Sequence, residues 1–410
     1  MLYRTRHMER RLQILAHHFK GVLVTGARQV GKSTLLAHMF PQMKQVTFDP
    51  VQDIYGARHD PDLFLDTFPA PLILDEIQFV PELLPALKRR MDTTQGSGQY
   101  FLSGSQQITL LRTITESMAG RVGLLSLGHM TLPEVHGFGA DPPWLERYLE
   151  CPADPFHYIK EVLPVSEGVF RMVWRGLMPG TLNLPDELIP DYYHSYLSTY
   201  IERDIRLQGE IRDVMEFARF IGLAGALTAQ EINVAHLGRE IGVTPRTARH
   251  WLDMLAACYQ WREIPAYSGN AVKRVSAKRK GYMGDSGLVC WLQRISSPET
   301  LASSPMRGAV FETMLVNSLL NMAEVLPTPP QPWHWRTLAG AEVDLVFERD
   351  GRLYPVEIKC AANLTRHDAR GILAFKETYG EKVQHGLILY AGHDPWKISE
   401  HATAVPWHIR

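Results

Sequence analysis

VLVTGARQVGKST, residues 22–34, decides the fold. Val22, Leu23 and Val24 read as a buried strand, and Thr34, Leu35, Leu36 and Ala37 open a helix. Between strand and helix lies G-x-x-x-x-G-K-S, with glycines at 26 and 31. Two glycines let consecutive backbone N–H groups curl around a phosphate at a helix N-terminus, where the helix dipole favours negative charge. Lys32 is placed to reach β- and γ-phosphate oxygens, and Ser33 to bind Mg²⁺. The expected nucleotide-binding set is Gly26, Ala27, Arg28, Gln29, Val30, Gly31, Lys32, Ser33 and Thr34, and the expected cofactors are ATP and Mg²⁺.

Outward from this motif, short apolar runs at residues 21–25, 45–48, 71–74, 99–102 and 122–127 alternate with helical stretches, the pattern of a parallel α/β sheet. The third run ends in Asp75 and Glu76, carboxylates at the end of a strand where open α/β sheets bind ligands. Asp75 is expected to hold Mg²⁺ through water and Glu76 to polarise an attacking water, which points to hydrolysis and away from a kinase. The fourth run ends in Ser103, Gly104 and Ser105, offering a polar side chain near a γ-phosphate. Arg121 stands just before the fifth, where a solvated edge residue is the plain alternative to a catalytic one.

The order GARQVGKS (26–33), LILDEIQ (72–78), LSGSQ (102–106) and MAGRVGLLSL (118–127) resembles the AAA+-type ATPases of bacteria and archaea that carry a C-terminal domain of unknown function. The resemblance extends over nearly the whole chain. It implies that Ser105 is the sensor-1 position and that Arg121 is an arginine finger serving a neighbouring subunit's nucleotide. A homo-oligomer, a ring, follows from that implication. Later landmarks are YIERD (200–204), a helix-turn-helix around Gly242, and YMGDSGL (282–288). RGLMP (175–179) departs from the Gly-Gly-x-Pro-like turn of relatives, so no sensor-2 arginine is assigned.

Four segments are expected: a P-loop AAA+-type core at 1–135, a helical lid or linker at 136–225, a winged helix-turn-helix at 226–300, and an α/β restriction-endonuclease-like domain at 301–410. In the third, Thr244 can cap a helix with Pro245 at its first position. Arg246, Arg249 and His250 lie near the end that a recognition helix presents to a groove. AVKRVSAKRK (271–280) holds Lys273, Arg274, Lys278, Arg279 and Lys280 and no acid, as a wing laid along phosphates does. DNA is the expected partner, with a protein contact as the alternative.

EVDLVFERDGRLYPVEIK (342–359) reads as a hairpin around the type I′ signal Asp350-Gly351. Pairing outward from the turn sets Asp344 opposite Glu357 and Glu342 opposite Lys359. Strict alternation puts these four on one face and Val343, Leu345, Phe347, Tyr354, Val356 and Ile358 on the other. Facing carboxylates repel unless a cation lies between them, so Asp344 and Glu357 are expected metal ligands, with Lys359 beside them to stabilise a developing charge. The hairpin resembles the PD-(D/E)XK nuclease core, and Glu312 matches the acid such folds often add. A merely salt-bridged hairpin face is the alternative.

Composition sets the bounds. Across 410 residues, 43 Lys and Arg oppose 44 Asp and Glu for a net charge of −1, so any nucleic-acid surface must be local. Hydrophobic residues at 45% and charged residues at 21% exclude a mainly disordered chain. The four cysteines form no C-x-x-C pair, which argues against a disulfide framework or zinc ribbon. With no signal-like N-terminus and no apolar run of membrane length, a cytoplasmic location away from membranes is expected. The sequence reads as an ATPase coupling nucleotide turnover to DNA binding, remodelling or cleavage. Its rival is a regulatory switch ATPase with a protein partner and a non-catalytic nuclease-like domain.

Overall fold

In a computed structural model, residues 3–105, 118–159, 161–165, 167–200, 211, 213–270, 274 and 277–410 are described. They form two units: Thr5–Gly128 with Leu255–Tyr259, and His129–Met254 with Gln260–Arg410 and the first few residues.

Five parallel strands make the centre of the first unit: β1 (Gly21–Thr25), β2 (Lys44–Thr47), β3 (Leu72–Asp75), β4 (Tyr100–Gly104) and β5 (Val122–Ser126). Their order is β2-β3-β4-β1-β5. Every residue of β1, β3 and β4 is buried, as expected of parallel strands covered on both faces. The chain leaves β1 toward β2 on one side and passes from β4 to β5 across β1 on the other. A crevice therefore opens beyond the carboxyl end of β1, where such sheets bind ligands.

The second unit holds two sheets. The first, β6 (Gln230–Glu231), β7 (Trp261–Ile264) and β8 (Lys280–Met283), is antiparallel in the order β6-β8-β7. It accompanies helices Val214–Ala226, Val234–Ile241 and Pro245–Ala257. Between helices Val234–Ile241 and Pro245–Ala257, Gly242 turns at φ +90°, and the Thr244 hydroxyl accepts from the Thr247 N–H at 3.1 Å. Trp251 packs edge-on against Phe217 and Phe220.

The second sheet has six strands, β9 (Gln331–Arg336), β10 (Glu342–Arg349), β11 (Arg352–Lys359), β12 (Gly386–Tyr390), β13 (Trp396–Ser399) and β14 (Ala402–Pro406), ordered β13-β14-β12-β11-β10-β9. Helix Arg307–Glu324 precedes it, and helix Arg370–Tyr379 joins β11 to the parallel β12. Asp350 and Gly351 both take positive φ, as a type I′ turn demands, and the ladder runs in the expected register from Arg349↔Arg352 to Leu345↔Val356. The strict alternation of β10 does not hold. A bulge between Val343 and Val346 brings both into one core with Leu353, Trp335 and Phe375, and both faces of the hairpin are buried.

The three C-terminal segments close into a single unit because buried polar groups tie them together. Asp285, 3% exposed, caps helix Ser286–Leu292 through the N–H groups of Gly287 (2.8 Å) and Leu288 (3.1 Å). It also accepts from the Tyr193 hydroxyl (2.7 Å) and the Leu177 N–H (2.9 Å). Asn317 donates to the Met283 carbonyl at 2.7 Å, and Thr228 bonds Thr313 at 2.8 Å. Gly176, at φ +71°, explains the RGLMP turn: a Cβ there would overlap the Asp285 carboxylate and the Tyr193 hydroxyl. Among the described residues, no helix is long and apolar enough to cross a membrane.

Asp285→Ala strands three N–H groups, while the Tyr193 hydroxyl keeps the Arg175 carbonyl at 2.8 Å, and is expected to lower stability by roughly 3 kcal/mol or more, against about 1 kcal/mol for Tyr193→Phe. Urea unfolding of the two variants checks that ranking.

Candidate functional site

The phosphate loop is held open by local geometry. Gly26 lies at φ +148° and Gly31 at φ +95°, and a Cβ on Gly26 would overlap the Leu127 carbonyl. The buried Lys32 ammonium folds back over the loop and donates to the carbonyls of Gly26 (3.0 Å) and Ala27 (2.8 Å). Ala27 and Val30 are buried under the loop, whereas Gln29 and Thr34 face solvent and Arg28 and Ser33 are half-buried. The sequence reading missed Arg6. Its buried guanidinium donates to Val30 O at 2.9 Å and Gly128 O at 2.8 Å, bracing the loop against the exit of β5.

Asp75 and Glu76 end β3 beside this loop. The buried Asp75 carboxylate accepts from the Ser103 hydroxyl, from Thr47 at 3.4 Å and from Gln45 at 3.3 Å. Glu76 sits at φ +56°, ψ +44°, a left-handed conformation costing about 1–2 kcal/mol in a non-glycine residue. Its N–H donates to Ser103 Oγ at 3.3 Å. Its carboxylate accepts from Ser105 Oγ at 3.3 Å and from Gln78, which also donates to Ser105 at 3.2 Å. Ser105 thus meets the expected acid. Ser103 and Gln78 were unassigned in the sequence, although both belong to the strand-end motifs read there.

The residues at Asp75 suit a nucleotide-bound divalent ion: a buried carboxylate held by neutral hydroxyl and amide donors retains a charge for a cation to balance. Ser33 and Asp75 would hold Mg²⁺, which neutralises phosphate charge when bound. Arg121 lies at the opposite edge of the sheet. Its carbonyl accepts from the Gly21 N–H at the start of β1, so the length of a five-residue strand, about 17 Å, separates it from the loop. Its guanidinium pairs with Asp92 at 2.5 and 3.2 Å, and this hydrogen bond holds the exposed Asp92 carboxyl below its ordinary range. Residues 106–117, shortly before Arg121, lie outside the described residues.

The hairpin acids expected to hold a metal ion are buried and paired with lysines. Asp344 and Glu357 do not face solvent; they are 4% and 2% exposed. Helix Arg370–Tyr379 covers them, with Gly371 so close that a Cβ would overlap Glu357 Oε1. The cation beside the acids is Lys280. Its Nζ lies 2.6 Å from Glu312 Oε1 and 2.9 Å from Asp344 Oδ1. The Tyr282 hydroxyl donates to Glu312 at 2.7 Å, the Ile358 N–H to Asp344 at 2.9 Å, and Lys359 to Glu357 at 3.0 Å. Among the described residues no group of three or more His, Cys, Asp and Glu side chains is arranged to hold a metal ion.

Electrostatics follow from burial and from the two lysines. Burial works against the Asp344 carboxylate, but Lys280 and Lys359 outweigh it and hold its pKa below the ordinary value. Burial and the neighbouring Asp344 charge push Glu357 well up. Burial, then Asp344, raises Glu312 to about 7 against the opposing pull of Lys280 and Tyr282. Burial disfavours the Lys280 ammonium, yet Asp344, Tyr282 and Glu312 keep it firmly protonated.

The expected DNA-facing cations divide. Lys280 is buried and therefore unavailable to phosphates. Arg249 is committed to Glu263 (2.7 Å) and Asp253 (2.8 Å), and Arg274 stacks on Tyr267 and Trp333 and pairs with Glu348 at 3.3 Å. Arg246, His250, Lys278 and Arg279 are exposed. Lys273, and residues 201–204 of the YIERD landmark, lie outside the described residues.

A five-stranded β2-β3-β4-β1-β5 sheet with a P-loop after β1 and paired acids after β3 defines a P-loop ATPase domain of the AAA type. Residues 18–136 match a family model described as an AAA domain, residues 166–299 one described as a domain of unknown function (DUF8612), and residues 307–409 another (DUF4143). Uncharacterized proteins Rv2008c of Mycobacterium tuberculosis and Mb2031c of Mycobacterium bovis are each 27% identical over 409 residues, covering 99% of this chain and 84% of theirs. Among solved structures, the Walker-type ATPase PABY2304 of Pyrococcus abyssi matches with a TM-score of 0.41 at 14% identity, over 72% of this chain and 99% of that one. The RuvB Holliday junction branch migration motor of Thermotoga maritima matches with a TM-score of 0.30 at 13% identity, over 66% and 94%.

Two outcomes follow from this geometry. Lys32→Ala should weaken nucleotide binding, whereas Glu76→Gln should keep binding and slow phosphate release by ~10² or more, as read by nucleotide titration and phosphate assay. The raised Glu312 carboxyl, facing Lys280, Tyr282 and Asp344, binds its proton more tightly in the folded state. Its contribution to stability is full below about 4.5 and is lost as pH rises through about 7. Glu312→Gln should flatten that part of the pH dependence of urea unfolding.

Proposed function

We propose that this chain hydrolyses ATP and uses the turnover to control binding of DNA by the segment 226–300, which we read as a winged helix. The observation that carries the reading is Glu76, held in a strained backbone next to Asp75 by Ser103, Ser105 and Gln78, beside the Lys32 loop. In this reading Lys32 binds the phosphates and Glu76 accepts the proton of the attacking water. The new P–O bond forms as the bond to the β-phosphate oxygen breaks, releasing ADP and phosphate. The order short strand, helix, turn, helix and two strands, preceded by helix Val214–Ala226, supports the winged-helix reading. Arg246 and His250 mark the exposed start of the second helix of the turn, and Lys278 and Arg279 the approach to β8.

Arg121, at the sheet edge remote from its own loop, is read as a finger for a neighbouring subunit in a ring. A second reading is favoured by the internal engagement of Arg249, Arg274 and Lys280: with fewer free cations, the same segment would dock a protein.

Salt dependence separates the two. Replacing Arg246, Lys278 and Arg279 with alanine should weaken DNA binding and flatten the salt slope by about one unit per lost phosphate contact. Unchanged affinity and slope would favour the protein partner. Arg121→Ala and Glu76→Gln protomers, each inactive alone, should regain part of the ATPase activity when mixed. A mixture that exchanges subunits and stays inactive would make Arg121 a surface residue.

A further inference from the structure

The hairpin acids expected to share a divalent ion already share a cation that the chain supplies. Lys280 arrives on β8, 64 positions before Asp344 in sequence, and its ammonium bridges Glu312 and Asp344 at 2.6 and 2.9 Å. Each of the three acids also has a further donor. Asp344 Oδ2 accepts from the Ile358 N–H, Glu312 Oε1 from the Tyr282 hydroxyl, and Glu357 Oε2 from Lys359. Glu357 Oε1 lies under the backbone of Gly371.

A cavity of about 400 Å³ reaches Lys280 and Glu312, lined also by Lys278, His334, Arg336 and Glu342, while Asp344 and Glu357 lie behind them. An ion could enter, but it would meet an ammonium where its positive charge must go. Two unit-charged lysines facing three acids leave little negative charge to repay the dehydration of a divalent ion. An ammonium also differs chemically from the ion it replaces. It donates hydrogen bonds, but it has no open coordination position to bind and acidify a water or clamp a phosphate oxygen.

We infer that Lys280 is a tethered substitute for the divalent cation, making the Asp344–Glu357–Lys359 hairpin a metal-independent joint between β8, helix Arg307–Glu324 and β10 instead of a nuclease centre. The inference is independent of the ATPase reading, since the P-loop contributes nothing to this site.

Mn²⁺ titration of the full chain without nucleotide, followed by electron paramagnetic resonance, tests it. Wild type and Asp344→Asn should bind the same number of Mn²⁺ ions, any weak binding at Asp75 being common to both. Lys280→Ala should gain one Mn²⁺ per chain, Mn²⁺ should raise its melting temperature, and adding Asp344→Asn should abolish both effects. Mn²⁺ binding by wild type that Asp344→Asn removes would overturn the proposal, as would a folded Lys280→Ala with no Mn²⁺ response. Should Lys280→Ala not fold, the comparison of wild type with Asp344→Asn, both of which keep the lysine, still decides.

Discussion

A buried ammonium must be paired, and in the second unit Lys280 makes that requirement structural. Its two carboxylate partners come from helix Arg307–Glu324 and from β10, so satisfying one charge fixes a helix and two sheets against each other. Removing one partner of such a group is expected to cost about 3–5 kcal/mol, because the other is left charged and dry. The surroundings are shaped to the same end. Tyr282 rises from the same strand to reach Glu312, and Gly371 lacks the Cβ that would displace Glu357. The hairpin acids are buried because this network can carry them.

In the first unit the governing constraint is the position of a strand end. Parallel β1, β3 and β4 all finish at the same edge, which brings the P-loop, Asp75 and Ser103 together without long-range side-chain reach. Serine then does two jobs: its hydroxyl donates to Asp75 and accepts from the Glu76 N–H. The strained Glu76 backbone is held where its carboxylate meets Ser105 and Gln78. Strain of this kind persists only where neighbours over-determine it, and it tends to mark a working site.

The basic stretch 271–280 shows how one charge pattern can serve different ends. Lys278 and Arg279 face solvent, Arg274 lies against two aromatic rings beside an acid, and Lys280 turns inward. Lys278 and Arg279 precede β8, and of the three only Lys280, its first residue, enters the interior. A count of positive charges therefore overstates the surface available to phosphates.

Local physics made much of this protein legible from sequence. The P-loop, the acids after β3, the capped turn at Gly242 and the Asp350-Gly351 hairpin each depend on neighbouring residues, on glycine's freedom at positive φ or on strand period, so their local geometry could be read in place. Tertiary structure decided what distant residues do to one another. The partnership of Lys280 with Asp344 spans 64 positions, and the bulge in β10 arises against β9, so neither leaves a periodic trace. Arg6 on the phosphate loop and Asp285 under Gly176 belong to the same class. Sequence determined which groups carry charge and which strands end in acids; folding alone determined which charges are dry, and a dry charge answers to its nearest partner in space and not in the chain.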